Sequence, residues 1–178
     1  VGDQTQYDAS ANASLKESKE LPYSVLMSVY AKESPEYLVE ALHSMLAQTV
    51  PPEQIVLVED GPLTHELDNA INVFHEQHAG LLDLVVLPKN EGLGSALAHG
   101  VPECRNEIIA RMDSDDYSFS TRMEKELAVM SDHNLDMVGS QIVEFIKDPY
   151  HPVAESDLPI DQQSIVSYSS RQYRWLCR

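Results

Sequence analysis

Three carboxylates stand close together in segment 111–116, which reads RMDSDD. The segment follows the apolar residues 108–110, a run typical of a strand buried in a parallel sheet. Asp113, Asp115 and Asp116 repel one another at this spacing unless a positive charge lies among them. A hard divalent cation supplies that charge and prefers oxygen ligands. An Asp-x-Asp at a strand end therefore predicts a site that holds a metal against phosphates.

The same acids have a second interpretation, as an acidic loop that caps the following helix. Asp116 or Ser120 would then accept hydrogen bonds from the first backbone N–H groups of that helix. These residues by themselves do not decide between a metal site and a helix cap.

Strand and helix patterns alternate along the chain and place these acids at the end of a strand. Ser34 followed by Pro35 is typical of a helix start, and continuous apolar runs are typical of buried parallel strands. We predict strands over 24–30, 55–58, 82–87, 107–112 and 137–145, and helices after Ser34, over 64–78, around 96–101, over 122–133 and over 161–171. This alternation predicts an α/β fold with a mostly parallel, doubly wound sheet.

Two further segments are expected at the same edge of the sheet as the acidic segment. Asp60 follows the second predicted strand, and the glycine-containing loop from Asn90 through Gly92 to Gly94 follows the third. Ligands bind outside the carboxyl ends of the strands in open α/β sheets. The loop is neither a Walker A motif nor a dinucleotide fingerprint. The combination suits a sugar nucleotide, with one acid on the base or ribose and a cation on the diphosphate.

Composition limits the function classes. The chain has 178 residues, 43% of them hydrophobic, which fits one globular domain. Its formal net charge of −17 argues against a nucleic-acid partner and against docking on anionic lipid. No apolar run reaches the roughly 18 residues that span a bilayer, and we find no signal-peptide pattern. Cys104 and Cys177 have no metal-ligand spacing, so we predict a reducing, cytoplasmic setting.

Six segments together resemble the family 2 glycosyltransferases, inverting enzymes with the GT-A fold. The matching segments are 24–30, 41–49, 55–61, 90–100, 110–116 and 136–145, and the resemblance covers roughly 21–146. By this resemblance, the nucleotide-binding residues are Ser28 and Tyr30 beside the base, Asp60 on the base, Asn90 and Gly92 over the nucleoside, and Asp113 facing the ribose and diphosphate. The resemblance also implies that Asp115 and Asp113 ligate Mn²⁺ or Mg²⁺.

The resemblance also implies partners and a domain plan. The donor is expected to be a UDP-sugar and the acceptor a saccharide or a lipid-linked saccharide, in the synthesis of surface polysaccharide. We expect a disordered polar leader over 1–20, a nucleotide-sugar-binding domain over 21–147 and a link over 148–178 toward an acceptor half. The family's general base is then expected outside this chain, and the full protein is expected in the cytoplasm or peripherally at the inner face of the membrane. Apolar side chains in the last segment predict self-association: Tyr168, Tyr173, Trp175 and Leu176.

Two other functions stay open on sequence alone. A sugar nucleotidyltransferase would share the sheet and the acidic metal ligands, but it needs a basic, glycine-rich loop after the first strand, and residues 31–34 read AKES. The second open function is that of a nucleotide-binding or interaction domain without catalytic activity. Arg111 and Lys89 could neutralise either the acidic edge or a bound diphosphate.

Overall fold

A four-stranded parallel sheet forms the centre of the computed structural model, which describes residues 21–146 and 148–156. Its strands lie in the order β3-β2-β1-β4, and each neighbouring pair is parallel. Their bounds are Tyr23–Val29 for β1, Gln54–Glu59 for β2, Leu82–Val86 for β3 and Ile108–Arg111 for β4. The first four predicted strands and their parallel pairing are therefore confirmed.

Helices follow the first four strands at the predicted places. They are α1 over Pro35–Leu46, α2 over His65–Gln77, α3 over Leu93–Gly100 and α4 over Arg122–Asp132, with a short 3-10 turn over Val101–Glu103. Ser34 caps α1 by accepting from Tyr37 N, and Thr64 caps α2 by accepting from Leu67 N. None of the helices in the described residues combines the length and apolar character that crossing a membrane requires.

The helices cover both faces of the sheet, as the doubly wound fold requires. On one face, side chains of α1, α2 and α4 pack with β1 and β2 into the larger core, with Leu42, Ile71 and Leu127 as examples. On the other face α3 packs through Ala96. A Cβ at Gly100 would lie 2.7 Å from Val58 Cγ2, so glycine permits the close approach of α3 to the sheet.

The predicted fifth strand over 137–145 is wrong in length and in partner. Only Ile142–Glu144 forms a strand, β5, and it pairs antiparallel with β6 over Ala154–Ser156 instead of joining the central sheet. Its apolar residues suggested burial, but Ile142 is exposed. Pairing with β6, which begins ten residues after β5 ends, satisfies the backbone of β5. The described part of the expected link over 148–178 thus contains strand β6, while the leader over 1–20, the helix over 161–171 and the aromatic residues Tyr168, Tyr173 and Trp175 lie outside the described residues.

A buried polar network closes the amino-terminal edge of the sheet. Ser24 Oγ donates to Gln54 Oε1 at 2.6 Å, and Gln54 Nε2 donates to Asp83 Oδ2 at 2.7 Å and to the Glu103 carbonyl at 2.8 Å. Arg105 N donates to Gln54 Oε1 at 2.8 Å. The network lies at the opposite end of the strands from the predicted site, and it fastens the segment that enters β4.

Candidate functional site

The carboxyl ends of β1 and β4 mark the point at which the sheet changes direction. The chain builds β1, β2 and β3 outward in one direction and then returns to place β4 on the other side of β1. A topological switch of this kind leaves a crevice at the strand ends, where α/β proteins bind ligands. Half-buried Ser28 lies near the end of β1, Tyr30 just beyond it is 42% exposed, and Asp113 and Asp115 follow β4.

The acidic segment forms a tight turn with exposed acids at its end. Met112 N donates to the Leu26 carbonyl at 3.1 Å and so continues the strand ladder, and Asp116 N donates to the Asp113 carbonyl at 3.4 Å. Within this turn, over 113–116, Ser114 is buried, and Asp115 and Asp116 are exposed. The turn therefore presents the Asp115 carboxylate to solvent at the edge of the crevice.

Asp113 is neutralised by the protein itself. The Arg111 guanidinium pairs with both of its carboxylate oxygens, with Nη1 2.7 Å from Oδ2 and Nη2 on Oδ1. Arg122 Nη2 in turn donates to the Arg111 carbonyl at 3.2 Å. Arg111 is thus a counter-charge for the acidic edge, whereas Lys89 is exposed and lies 3.7 Å from Glu91 Oε1.

The acidic turn fits a cation that is shared with phosphate better than one enclosed by protein. Among residues 21–146 and 148–156, no group of three or more His, Cys, Asp or Glu side chains is placed to hold a metal by itself. Arg111 occupies the carboxylate of Asp113, while Asp115 faces solvent. Mg²⁺ is usually held by one or two carboxylates together with substrate phosphates and waters. In such a set of ligands, Asp115 could supply the carboxylate from the protein.

Asp60 fastens the glycine-containing loop. It is buried at the end of β2, where Oδ1 accepts from Glu91 N at 2.7 Å and Oδ2 accepts from Gly92 N at 2.9 Å. Asn90 Nδ2 donates to the Asp60 carbonyl at 3.2 Å. Each carboxylate oxygen has a second lone pair, and a nucleotide base would have to use those. The structure therefore brings Asp60, Asn90 and Gly92 together, in contacts with one another.

Two glycines allow this loop to close. Gly61 has φ +86°, and a Cβ there would lie 2.5 Å from the backbone N of Asn90. Gly92 also has φ +86° and precedes α3 as its N-cap residue. Side chains other than glycine rarely adopt this backbone region, so both positions depend on glycine.

Glu33 belongs to the site, although no motif in the sequence indicates it. Its Oε2 accepts from Ser114 Oγ at 3.2 Å, and its Oε1 accepts from Ser34 N at 3.3 Å. The contact joins the loop between β1 and α1 to the acidic turn across 81 residues of chain. Two acids on neighbouring loops, Glu33 and Asp115, thus flank the switch point.

The helix-cap interpretation of the acidic segment does not match the structure. Helix α4 begins at Arg122, and Thr121 occupies its N-cap position. Neither Asp116 nor Ser120 stands at the capping position, and Ser120 instead accepts from Thr49 N through its carbonyl at 2.8 Å.

Burial perturbs the pKa of the acid that ends β2. The pKa of Glu59, the last residue of β2, is raised by burial and further by the nearby negative charge of Asp68. Burial, and next the charge of Asp68, thus disfavour the charged form of this carboxyl.

Comparison with known proteins identifies relatives of the chain. The family profile described as Glycosyl transferase family 2 matches residues 24–176. A Haemophilus influenzae protein named as an uncharacterized glycosyltransferase is 38% identical over 153 residues, covering 85% of this chain and 57% of its own length. The amylovoran biosynthesis glycosyltransferase AmsE of Erwinia amylovora is 37% identical, covering 83% and 54%. An Escherichia coli UDP-Gal:alpha-D-GlcNAc-diphosphoundecaprenol beta-1,3-galactosyltransferase is 34% identical, covering 84% and 54%.

The chain spans about half the length of the curated relatives that it matches. Two solved structures share the fold at lower identity. S. aureus TarS 1-349 in complex with UDP has a TM-score of 0.56 at 23% identity, covering 65% of this chain and 34% of that one. A mannosyltransferase from Pyrobaculum calidifontis in complex with GDP-Man and Mn²⁺ has a TM-score of 0.55 at 20% identity, covering 61% and 32%.

Proposed function

The chain belongs to glycosyl transferase family 2, and from that membership we propose that it binds the nucleotide end of a UDP-sugar together with a divalent cation. The observation that carries the proposal is the acidic turn at the switch point, with exposed Asp115 beside the neutralised Asp113. An exposed carboxylate at a crevice suits a cation that the substrate's diphosphate also ligates. The reaction that we propose for the whole protein is inverting glycosyl transfer.

Each residue at the edge has a role in the proposal. Asp115 would hold Mn²⁺ or Mg²⁺, and Asp113, kept in place by Arg111, would face the ribose and diphosphate. When bound, such a cation stabilises the charge that develops on a leaving diphosphate. The nucleoside would lie across the neighbouring strand ends, in contact with Ser28 and Tyr30 at β1 and with the loop that Asp60 fastens.

The acceptor and the general base are proposed to involve the rest of the protein. The relatives are about twice as long as the aligned segment, so we place the base that deprotonates the acceptor hydroxyl in that further length. The name of AmsE refers to amylovoran biosynthesis and that of the E. coli relative to a diphosphoundecaprenol-linked acceptor. These names support a saccharide or lipid-linked acceptor. We propose that the pathway makes surface polysaccharide and that the protein acts at the cytoplasmic side of the membrane.

Calorimetry with UDP tests the proposal at Asp115. Wild-type protein should bind UDP more tightly with Mn²⁺ than without it, and Asp115→Ala should remove this gain. Glu76→Ala is the matched control, since it deletes one exposed negative charge on α2, away from the strand ends. Equal affinity of wild type and Asp115→Ala in the presence of Mn²⁺ would refute the assignment.

Three further measurements test the alternative functions and the proposed self-association. A sugar nucleotidyltransferase would convert a sugar 1-phosphate and UTP into UDP-sugar, a reaction that we expect to be absent because Glu33 turns an acid toward the acidic turn where that class needs basic residues. Slow hydrolysis of UDP-sugars with Mn²⁺ supports transferase chemistry, whereas binding without turnover supports a silent domain. Light scattering across a tenfold concentration range tests the proposed self-association, and a constant monomer mass would contradict it.

A further inference from the structure

A buried cluster at the end of α1 holds the chain just after the acidic turn. We call Ser44, Gln48 and Ser118 the clasp; all three side chains are buried. Gln48 Nε2 lies 3.0 Å from the Phe119 carbonyl, 3.1 Å from Ser118 Oγ, 3.3 Å from the Ser118 carbonyl and 3.0 Å from the Ser44 carbonyl. The two amide hydrogens of Gln48 therefore lie within hydrogen-bond reach of four acceptor oxygens. Three of these oxygens belong to Ser118 and Phe119, just after the turn.

The other atoms of the clasp bind the same segment. Gln48 Oε1 accepts from Met123 N at 3.0 Å, which ties the first turn of α4 to the end of α1. Ser44 Oγ accepts from Ser118 N at 3.1 Å and donates to the Ala41 carbonyl at 2.7 Å. The clasp thus satisfies buried groups on a segment about 70 residues away along the chain.

The acidic turn is consequently held at both ends. Strand β4 fixes its upstream end through the bond from Met112 N to Leu26, and the clasp fixes Ser118, two residues after the turn closes at Asp116. A short connection between two fixed ends has few conformations open to it. Loosening either end should therefore disorder the turn and displace its exposed carboxylate.

We propose that Gln48 is a positioning residue that sets the place of Asp115 at the crevice. The inference rests on the proposed function, in which Asp115 holds the cation beside the diphosphate. Gln48 acts only through the chain, because its contacts are with residues of α1 and with the segment 118–123.

A second buried glutamine makes a matched control. Gln54 has the same kind of side chain, is equally buried, and also bonds through both ends of its amide. Its partners lie at the amino-terminal edge of the sheet. Gln54 is the first residue of β2 and lies five residues before the last one, Glu59, or about 17 Å from it at the rise of a strand. If Gln48 has a purely structural role, replacing either glutamine should have similar effects on the acidic turn. If Gln48 positions the turn, only its replacement should affect the turn.

The experiment compares Gln48→Glu with Gln54→Glu, both near-isosteric changes that remove amide donors. Amide exchange by NMR reports on Asp116, whose N–H closes the turn; losing the clasp should speed its exchange by about tenfold. Affinity for UDP is measured with and without Mn²⁺. Gln48→Glu should lose most of the affinity gain from Mn²⁺, while Gln54→Glu should lower the melting temperature and leave both other readouts at wild-type values.

Each outcome decides a separate question. If wild type gains affinity from Mn²⁺ and Gln48→Glu keeps as much of that gain as Gln54→Glu, the positioning role is overturned. If wild type gains nothing from Mn²⁺, the proposed function fails, and Asp116 exchange alone then decides whether the clasp orders the turn. If Gln48→Glu does not fold, Ser44→Ala is used in its place, and Ser24→Ala is the control for that variant. Equal Asp116 exchange rates in Ser44→Ala and Ser24→Ala would overturn the inference.

Discussion

Replacing Asp60 by asparagine tests whether this acid fastens the neighbouring loop before any nucleotide binds. The wild-type carboxylate accepts two backbone N–H groups, from Glu91 at 2.7 Å and from Gly92 at 2.9 Å. Asn at this position has one oxygen and one NH₂ group, so one of the two backbone donors would face another donor. The change keeps the volume of the side chain and alters only its charge and hydrogen bonding.

The expected cost follows from those two bonds. A hydrogen bond to a charged group contributes about 1.5–3 kcal/mol, and a buried donor left unsatisfied costs about 1–3 kcal/mol. One bond is lost and the other becomes neutral, so we expect the free energy of unfolding to fall by roughly 2–4 kcal/mol. At a urea dependence of about 2 kcal/mol per M, the unfolding midpoint would fall by about 1–2 M.

Urea unfolding followed by circular dichroism measures this change without any ligand. Asp115→Asn is the control, because it makes the same substitution at an exposed acid of the same site and should change stability by no more than about 0.5 kcal/mol. If the free energy of unfolding of Asp60→Asn lies within about 0.5 kcal/mol of the wild-type value, the loop amides have other partners. The proposed role of Asp60 in holding the loop would then be wrong.

Three further predictions concern positions near this edge and one thiol. Gly61→Ala should lower the free energy of unfolding by about 2–5 kcal/mol, because Gly61 has a positive φ and a Cβ there would overlap the main chain of the opposing loop. The control Gly94→Ala should not lower it, because a Cβ at Gly94 meets open space. Glu59→Gln should raise stability at pH 7, because burial raises the pKa of Glu59 above its ordinary 4.5; the gain should vanish in urea titrations below that pH, where the carboxyl is protonated in both states. Burial raises the pKa of Cys104 to about 11 from 9.0, so in a Cys177→Ser background iodoacetamide at pH 8.5 should alkylate folded protein far more slowly than urea-unfolded protein. The stability that this thiol contributes is present below pH 9 and lost as the pH rises toward 11; equal alkylation rates would contradict the burial of Cys104.

Much of the fold follows from local patterns in the sequence. Apolar runs such as 55–58 can only be satisfied by burial on both faces of a sheet, and the caps at Ser34 and Thr64 act within three residues of their helix starts. The one strand prediction that is wrong, over 137–145, failed because apolar residues at that spacing do not specify which strand they pair with.

The edge of the sheet at which Asp60 and Asp115 lie could be predicted from sequence because of the parallel topology. Once strands and helices alternate, the residues after β2 and β4 must meet at the same edge, so Asp60 and Asp115 were assigned to one site without knowledge of any contact. Their separate uses could not be assigned in the same way. Asp60 is buried against loop amides and Asp115 faces solvent, although both are aspartates at strand ends.

By itself the sequence determined the α/β class, the strands and helices that carry the site and the edge at which its acids meet, because these depend on periodicity and caps read over a few residues. Only the tertiary structure decided that Arg111 neutralises Asp113, that Glu33 reaches Ser114 and that Gln48 binds the segment after the acidic turn. The last two of these contacts join positions 81 and 70 residues apart. A side chain's choice among distant partners depends on distances and burial, and these exist only once the sheet and helices have packed.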